Sequence, residues 1–231
     1  MIDVAANYRK ILAQIGEAAA RSGRSPGEIR ILAASKSQSI DLIRGAIEAG
    51  VRYIGENYVQ EARDKKKHIC EPVEWHMIGH LQRNKAKPAV ECFDLIQTLD
   101  NLDLALELEK EARKRAKTVR AFIEVNLARE EAKSGIHKEE VKHLLEEVGK
   151  LSRLSVEGLM AVPPFKENPE EVRPYFRELR EMQSKLKQFK IPNVDLKELS
   201  MGMTHDYVVA VEEGATMVRI GTALFGPRKE R

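Results

Sequence analysis

Eight short apolar runs, at 29–35, 51–55, 75–79, 93–98, 119–126, 154–162, 197–201 and 215–221, alternate with segments of helical period along 231 residues. The runs are mostly β-branched or followed by Gly, Asn or Pro, which marks them as strands. The helical segments, at 40–49, 57–68, 82–91, 101–117, 138–150, 168–188 and 204–213, each carry charged residues along one face. Strand and helix in alternation build a parallel sheet. Eight such units with no Gly/Ser/Pro-rich linker predict one α/β domain over 1–231, a (β/α)8 TIM barrel. Val4, Tyr8, Ile11, Leu12 and Ile15, at helical spacing, add an extra N-terminal helix. An open doubly wound sheet is the competing architecture, and it lacks support because no GxGxxG follows a strand and no Walker sequence is present.

Charge narrows the partners. Thirty-nine basic residues against 36 acidic ones leave a net charge of +3, which gives little reason to expect nucleic acid or an anionic membrane as the main partner. The helices at 101–117 and 168–188 read as solvated outer faces, the first supported by Glu107 and Glu111 spaced to pair with Lys114 and Arg115. Lys65-Lys66-Lys67 reads the same way. Cys70 and Cys92 form no CxxC pair, so neither a disulfide scaffold nor a zinc ribbon is expected. With no signal-type leader and no apolar span of membrane length, the expectation is a cytoplasmic protein with reduced thiols.

In such barrels the chemistry gathers where the strands end at their C-terminal side. The residues there are Lys36, Asn57, His80, Thr98, Asn126, the Met160–Pro163 turn, Ser200 and Arg219. Lys36 closes the run Ile31–Ser35, and an amine against an apolar wall loses hydration, which lowers its pKa and makes it a candidate Schiff-base nucleophile. The plainer alternative is that Lys36 marks where the strand meets water. Barrels often bind phosphate between the last two loops. Here Ser200-Met201-Gly202-Met203-Thr204 and Ile220-Gly221-Thr222 both offer glycine, hydroxyls and backbone N–H groups near a helix start. Taken singly, Thr204 and Thr222 read as ordinary helix caps; taken as a pair of loops, they read as a phosphate cradle. Arg219, in an otherwise apolar run, either bridges to a carboxylate or faces the ring nitrogen of a heterocycle and keeps it unprotonated. No metal site is expected: His76 and His80 lie on a strand and its turn, not on one helical face. No GxSxG supports a serine hydrolase.

An amine after the first strand, a phosphate cradle after the last two and an arginine in the last strand fit pyridoxal 5'-phosphate (PLP). The segments AASKSQ (33–38), YIGENYVQE (53–61), WHMIGHLQRNK (75–85), NLAREEAKSG (126–135), GLMAVPP (158–164), LSMGMTHDY (199–207) and MVRIGTALFG (217–226) resemble the pyridoxal-phosphate homeostasis proteins, the YggS/PROSC family. That family resembles the barrel domain of alanine racemase. The resemblance implies an internal aldimine at Lys36, phosphate contacts from Ser200, Gly221 and Thr222 with backbone help from Met201, and Arg219 near the pyridine nitrogen. It also implies that Asn57 and His80 line the pocket and that Lys133, in the loop after the fifth strand, has a secondary cofactor role. Ser37 stands where the family often has threonine, and His205, at a variable position, reads as a solvent-facing histidine at a helix start.

The implied function is PLP binding for storage, buffering or delivery to apo-enzymes, by a monomer without established turnover. A racemase must protonate both faces of a carbanion with two placed acid/base groups, and alanine racemase draws one of them from a second domain that this barrel is not expected to carry. A small racemase or decarboxylase is the alternative, and a nucleic-acid-binding module a weaker one.

Overall fold

The computed structural model describes residues 2–130 and 133–227. Among the described residues nine strands are present: β1 (Arg30–Ala34), β2 (Tyr53–Glu56), β3 (Glu74–Met77), β4 (Leu95–Leu99), β5 (Val119–Asn126), β6 (Ile136–His137), β7 (Leu154–Met160), β8 (Val194–Met203) and β9 (Met217–Ile220). All but β6 form a closed parallel barrel, in which β1 pairs with both β2 and β9, and β4 with β5. The two-residue β6 hangs on the end of β5 as a separate pairing. This is the barrel that the alternating pattern predicts.

The helices are α1 (Val4–Arg21), α2 (Ile40–Ala49), α3 (Val59–Lys66), α4 (Ala86–Cys92), α5 (Leu102–Lys114), α6 (Val141–Val148), α7 (Arg173–Lys187), α8 (Tyr207–Glu212) and α9 (Thr222–Phe225). Their starts follow local chemistry. Ser39 accepts from the Leu42 amide to open α2, and Asn101 accepts from Leu104 at 2.8 Å to open α5. The extra helix α1 spans the outside of the β9–β1 junction, with the Asn7 amide donating to the Leu224 carbonyl at 2.9 Å and Tyr207 meeting Gln14. No helix among the described residues is long and apolar enough to cross a membrane.

Alternation along each strand sorts side chains to two cores. In β1, Ile31 and Ala33 face outward into the layer shared with the helices, while Leu32 faces inward with Leu95, Phe122, Met160 and Met217. Below this inner layer, at the strand starts, the barrel is plugged by charge. Arg30 pairs with Glu198 at 2.8 Å, and Arg120 reaches Glu157 at 2.8 Å and Glu74 at 3.0 Å.

At Gly158, β7 and β8 leave no room for a side chain. A Cβ there would stand 2.4 Å from the Glu198 carbonyl oxygen, which is backbone and cannot swing away. Gly158→Ala is expected to cost about 1–3 kcal/mol through forced separation of the two strands, read as a lower urea midpoint.

Candidate functional site

The strand ends bring Lys36 to the barrel mouth. β1 stops at Ala34, and Ser35 is fully buried, with its N–H on the Gly55 carbonyl. Lys36 lies half-buried in the turn that follows, before Ser37 at φ +62°. Across the β1–β9 pairing, Gly221 follows β9 beside Ala34. An added Cβ at Gly221 would meet only Ala34, at 3.6 and 3.8 Å, so no protein atom demands glycine there. The missing Cβ instead leaves space at the mouth, between the end of β1 and the β9 loop.

Arg219 is buried in β9, and no carboxylate among the described residues bridges it directly. Nη1 donates to the Ser200 carbonyl and to Ser200 Oγ, both at 2.7 Å, and Nη2 donates to the Ala161 carbonyl at 2.8 Å. Of the two roles open to Arg219, the close carboxylate bridge is therefore not the one built. Burial pulls its pKa down to about 10, opposed by the Glu124 and Asp206 carboxylates at longer range. Ser200 Oγ in turn donates to Gln97 Oε1 at 2.6 Å. The Gln97 amide nitrogen lies 2.9 Å from His76 Nδ1, which places the imidazole proton on Nε2, facing Glu74 at 3.4 Å. A one-directional line of donors thus runs from Arg219 through the barrel interior to Glu74. Burial lowers the His76 pKa and keeps the ring neutral, while Glu74 is held down to about 2 by His76 and then Arg120.

Glu124 of β5 also points into the mouth. It is buried, and its Oε2 has no hydrogen-bond partner among the described residues. Burial, with the Asp100 carboxylate adding to it, pushes Glu124 up to about 7 against the pull of Arg219.

The residues predicted for the site separate into groups. Lys36, Arg219 and Gly221 share the β1–β9 side of the mouth, and Thr222 opens α9 next to them. Ser200 is there too, fully buried, its hydroxyl committed to Gln97 and Arg219. The Met201 side chain is buried in the outer core. Asn57 and His80 line a separate cavity of about 540 Å³ between α3 and α4, whose lining includes neither Lys36 nor Arg219. His80 is exposed and stands 3.7 Å from Asp100. Lys133 pairs with Glu130 at 2.8 Å in the loop after β5, of which residues 131 and 132 lie outside the described residues. His205 is exposed, with its ring against Phe165 and Nε2 near the Glu167 carbonyl.

The helix-cap alternative for Thr204 and Thr222 falls away, and the reading of Lys65 changes. Neither threonine is a helix cap: α8 starts after Asp206 and α9 after Gly221, while Thr204 Oγ1 accepts the Ala223 amide at 3.2 Å and ties the last two loops together. Lys65 does not belong to a solvated triplet. It is buried with its ammonium on Ser35, Glu56 and Glu61, because α3 turns that one position toward the strand ends. Gln97, His76, Glu124 and Lys65 were not singled out for the site. For Gln97, His76 and Glu124 the only signal is a polar side chain inside an apolar run; Lys65, in a run of three lysines, gives none. Among the described residues, no group of three His, Cys, Asp or Glu is placed to hold a metal.

Known proteins share this barrel. The family model described as alanine racemase, N-terminal domain, matches residues 8–229. The pyridoxal phosphate homeostasis protein of Aquifex aeolicus is 45% identical over 95% of this chain and 96% of its own length, and that of Escherichia coli K12 is 41% identical over 99% and 98%. The solved structure of PipY from Synechococcus elongatus with PLP bound aligns with a TM-score of 0.81 at 35% identity, covering 92% of this chain and 100% of that one. Alanine racemase of Clostridium difficile shares the fold at a TM-score of 0.74 and 14% identity, and this chain covers 57% of it. With these relatives matched over nearly their whole length, the chain belongs to the pyridoxal phosphate homeostasis proteins, on the fold of the alanine racemase N-terminal domain.

Proposed function

We propose that this protein holds PLP reversibly on Lys36 and acts in PLP homeostasis as a store or delivery carrier. The observation that carries this reading is the meeting of a half-buried amine, a buried guanidinium and a glycine-sized gap at one barrel mouth. These residues fit the cofactor. When bound, PLP supplies an aldehyde for Lys36 and an electron-poor ring beside Arg219. Arg219 disfavours a second positive charge near it and so keeps a facing ring nitrogen unprotonated. The gap at Gly221 admits a group that a Cβ would exclude. The phosphate falls to the backbone at Met201 and Gly221 and to Thr222, since Ser200 uses its hydroxyl to hold Arg219. Asn57 and His80, which line the neighbouring cavity between α3 and α4, take no part in this reading.

A carrier without turnover fits the relatives' names, and this chain covers 96–98% of the length of those homeostasis proteins. Exposed Tyr58 and Phe165, on the loops that follow β2 and β7, and Met203, the last residue of β8, support docking of an apo-enzyme at this face. The thiols of Cys70 and Cys92, which are not joined, suit a cytoplasmic protein.

The test is uptake. Purified protein incubated with PLP and desalted is expected to retain one equivalent and to leave the Cα hydrogen of single-enantiomer amino acids in place in deuterated water. No retained cofactor would remove the carrier reading, and sustained Cα exchange that depends on Lys36 would replace it with a racemase.

A further inference from the structure

The turn Ser35-Lys36-Ser37 is gripped from below by side chains that cofactor contact does not explain. Ser35 Oγ donates to Glu56 Oε1 at 2.5 Å. The Lys65 ammonium donates to the Ser35 carbonyl at 2.6 Å and to Glu56 Oε1 and Glu61 Oε1, both at 2.7 Å. That Glu61 oxygen also accepts the Ser37 amide at 2.6 Å. The carbonyl before Lys36 and the amide after it are therefore joined through one ammonium and one carboxylate.

The grip is costly by ordinary standards. A lysine is almost never buried unless paired, and here each of its three donors has an acceptor. Burial pushes the Glu56 carboxyl up, and Lys65 and Ser35 pull it back. Ser37 sits at φ +62°, a left-handed conformation that costs a serine about 1–3 kcal/mol and persists only where its surroundings enforce it. Apolar replacements of buried ion pairs are often no less stable, so stability alone does not account for the arrangement. Fixing one conformation of the turn does.

We infer that Lys65 and Glu61 are positioning residues that fix the backbone on both sides of Lys36, and that Lys65, held as a fully hydrogen-bonded ammonium, is barred from competing for the aldehyde. This rests on the reading of Lys36 as the PLP-bearing residue. In the capture step the Lys36 nitrogen forms the C=N bond, and two protons leave with the aldehyde oxygen as water. An ammonium has no lone pair for that bond, so Lys65 stays silent while its three acceptors remain.

Glu61→Ala removes the Ser37 and Lys65 contacts, while Glu61→Gln keeps an oxygen for both. The rate of PLP capture is expected to fall about tenfold or more in Glu61→Ala and Lys65→Met, and to stay within about threefold of wild type in Glu61→Gln. A second readout needs no PLP: brief reductive methylation with formaldehyde and borohydride, mapped by peptide mass spectrometry. Lys65 in wild type is expected to label at least about tenfold more slowly than Lys36, and in Glu61→Ala that gap narrows. A folded Glu61→Ala that captures PLP at the wild-type rate, or a wild-type Lys65 that labels as fast as Lys36, overturns the inference. Should wild type take up no PLP, the carrier reading falls by itself, and the methylation pattern still decides the clamp. Should Lys65→Met fail to fold, Glu61→Ala decides, because Glu61 is partly exposed.

Discussion

Lys36→Ala is expected to lose covalent PLP completely: after loading and borohydride treatment its intact mass stays that of the unmodified chain, while wild type gains one cofactor. Neighbouring amines do not take over. Lys65 has its donors on Ser35, Glu56 and Glu61, Lys66 donates to the Cys92 carbonyl at 2.7 Å, and Lys133 is paired with Glu130. The same variant separates covalent from contact binding. A ligand present at a hundred times its Kd stabilises the folded state by about 2.7 kcal/mol. Wild type is expected to show a PLP-dependent rise in Tm of that origin, and Lys36→Ala to lose most of it while keeping the contribution of Arg219 and the phosphate loops. A variant that still gains the cofactor's mass would move the attachment to another lysine.

Glu124→Gln is expected to stabilise the apo-protein by about 3 kcal/mol above pH 7, with the gain vanishing in acid. The folded pKa of about 7 lies above the ordinary carboxyl value of 4.5. Below 4.5 both folded and unfolded chains carry the proton, and wild type pays nothing. Between 4.5 and 7 the unfolded chain releases its proton while the folded one keeps it, so wild-type stability falls as pH rises, and it levels off once the folded form has also ionised. The interval corresponds to about 3 kcal/mol, at 1.36 kcal/mol per unit. Glutamine matches the protonated acid in shape and does not titrate, so its urea denaturation midpoints lack this decline. Equal pH dependence in both proteins would show that the Glu124 carboxylate is solvated in the folded state.

Much of the barrel was legible because strands buried on both faces read as unbroken apolar runs. β5 covers the predicted 119–126, and the predicted 40–49 is α2 itself. β8 is longer than its apolar stretch because Asp195 and Lys197 alternate outward to solvent, and alternation with charge looks like loop when only apolar runs are counted. β6 escaped notice, since two residues pair with β5 only through the tertiary fold. Lys36 and Arg219 stood out because charge at the edge of an apolar run is visible in one dimension. Gln97, His76 and Glu124 did not, because parity between barrel interior and helix layer cannot be assigned when both sides are apolar. Lys65 was hidden for a different reason: in a run of three lysines, nothing local says which one the helix turns inward.

The ionic floor formed by Arg30, Glu198, Arg120, Glu74 and Glu157 has a consequence for traffic. With its lower end closed by these ion pairs and its interior packed with Leu32, Leu95, Phe122, Met160 and Met217, the barrel offers the Lys36 end a single approach, and in the proposed carrier role incoming cofactor and any recipient would meet at the same rim. On the carrier reading proposed above, loading and hand-off would exclude one another, and a high free concentration of PLP would slow delivery.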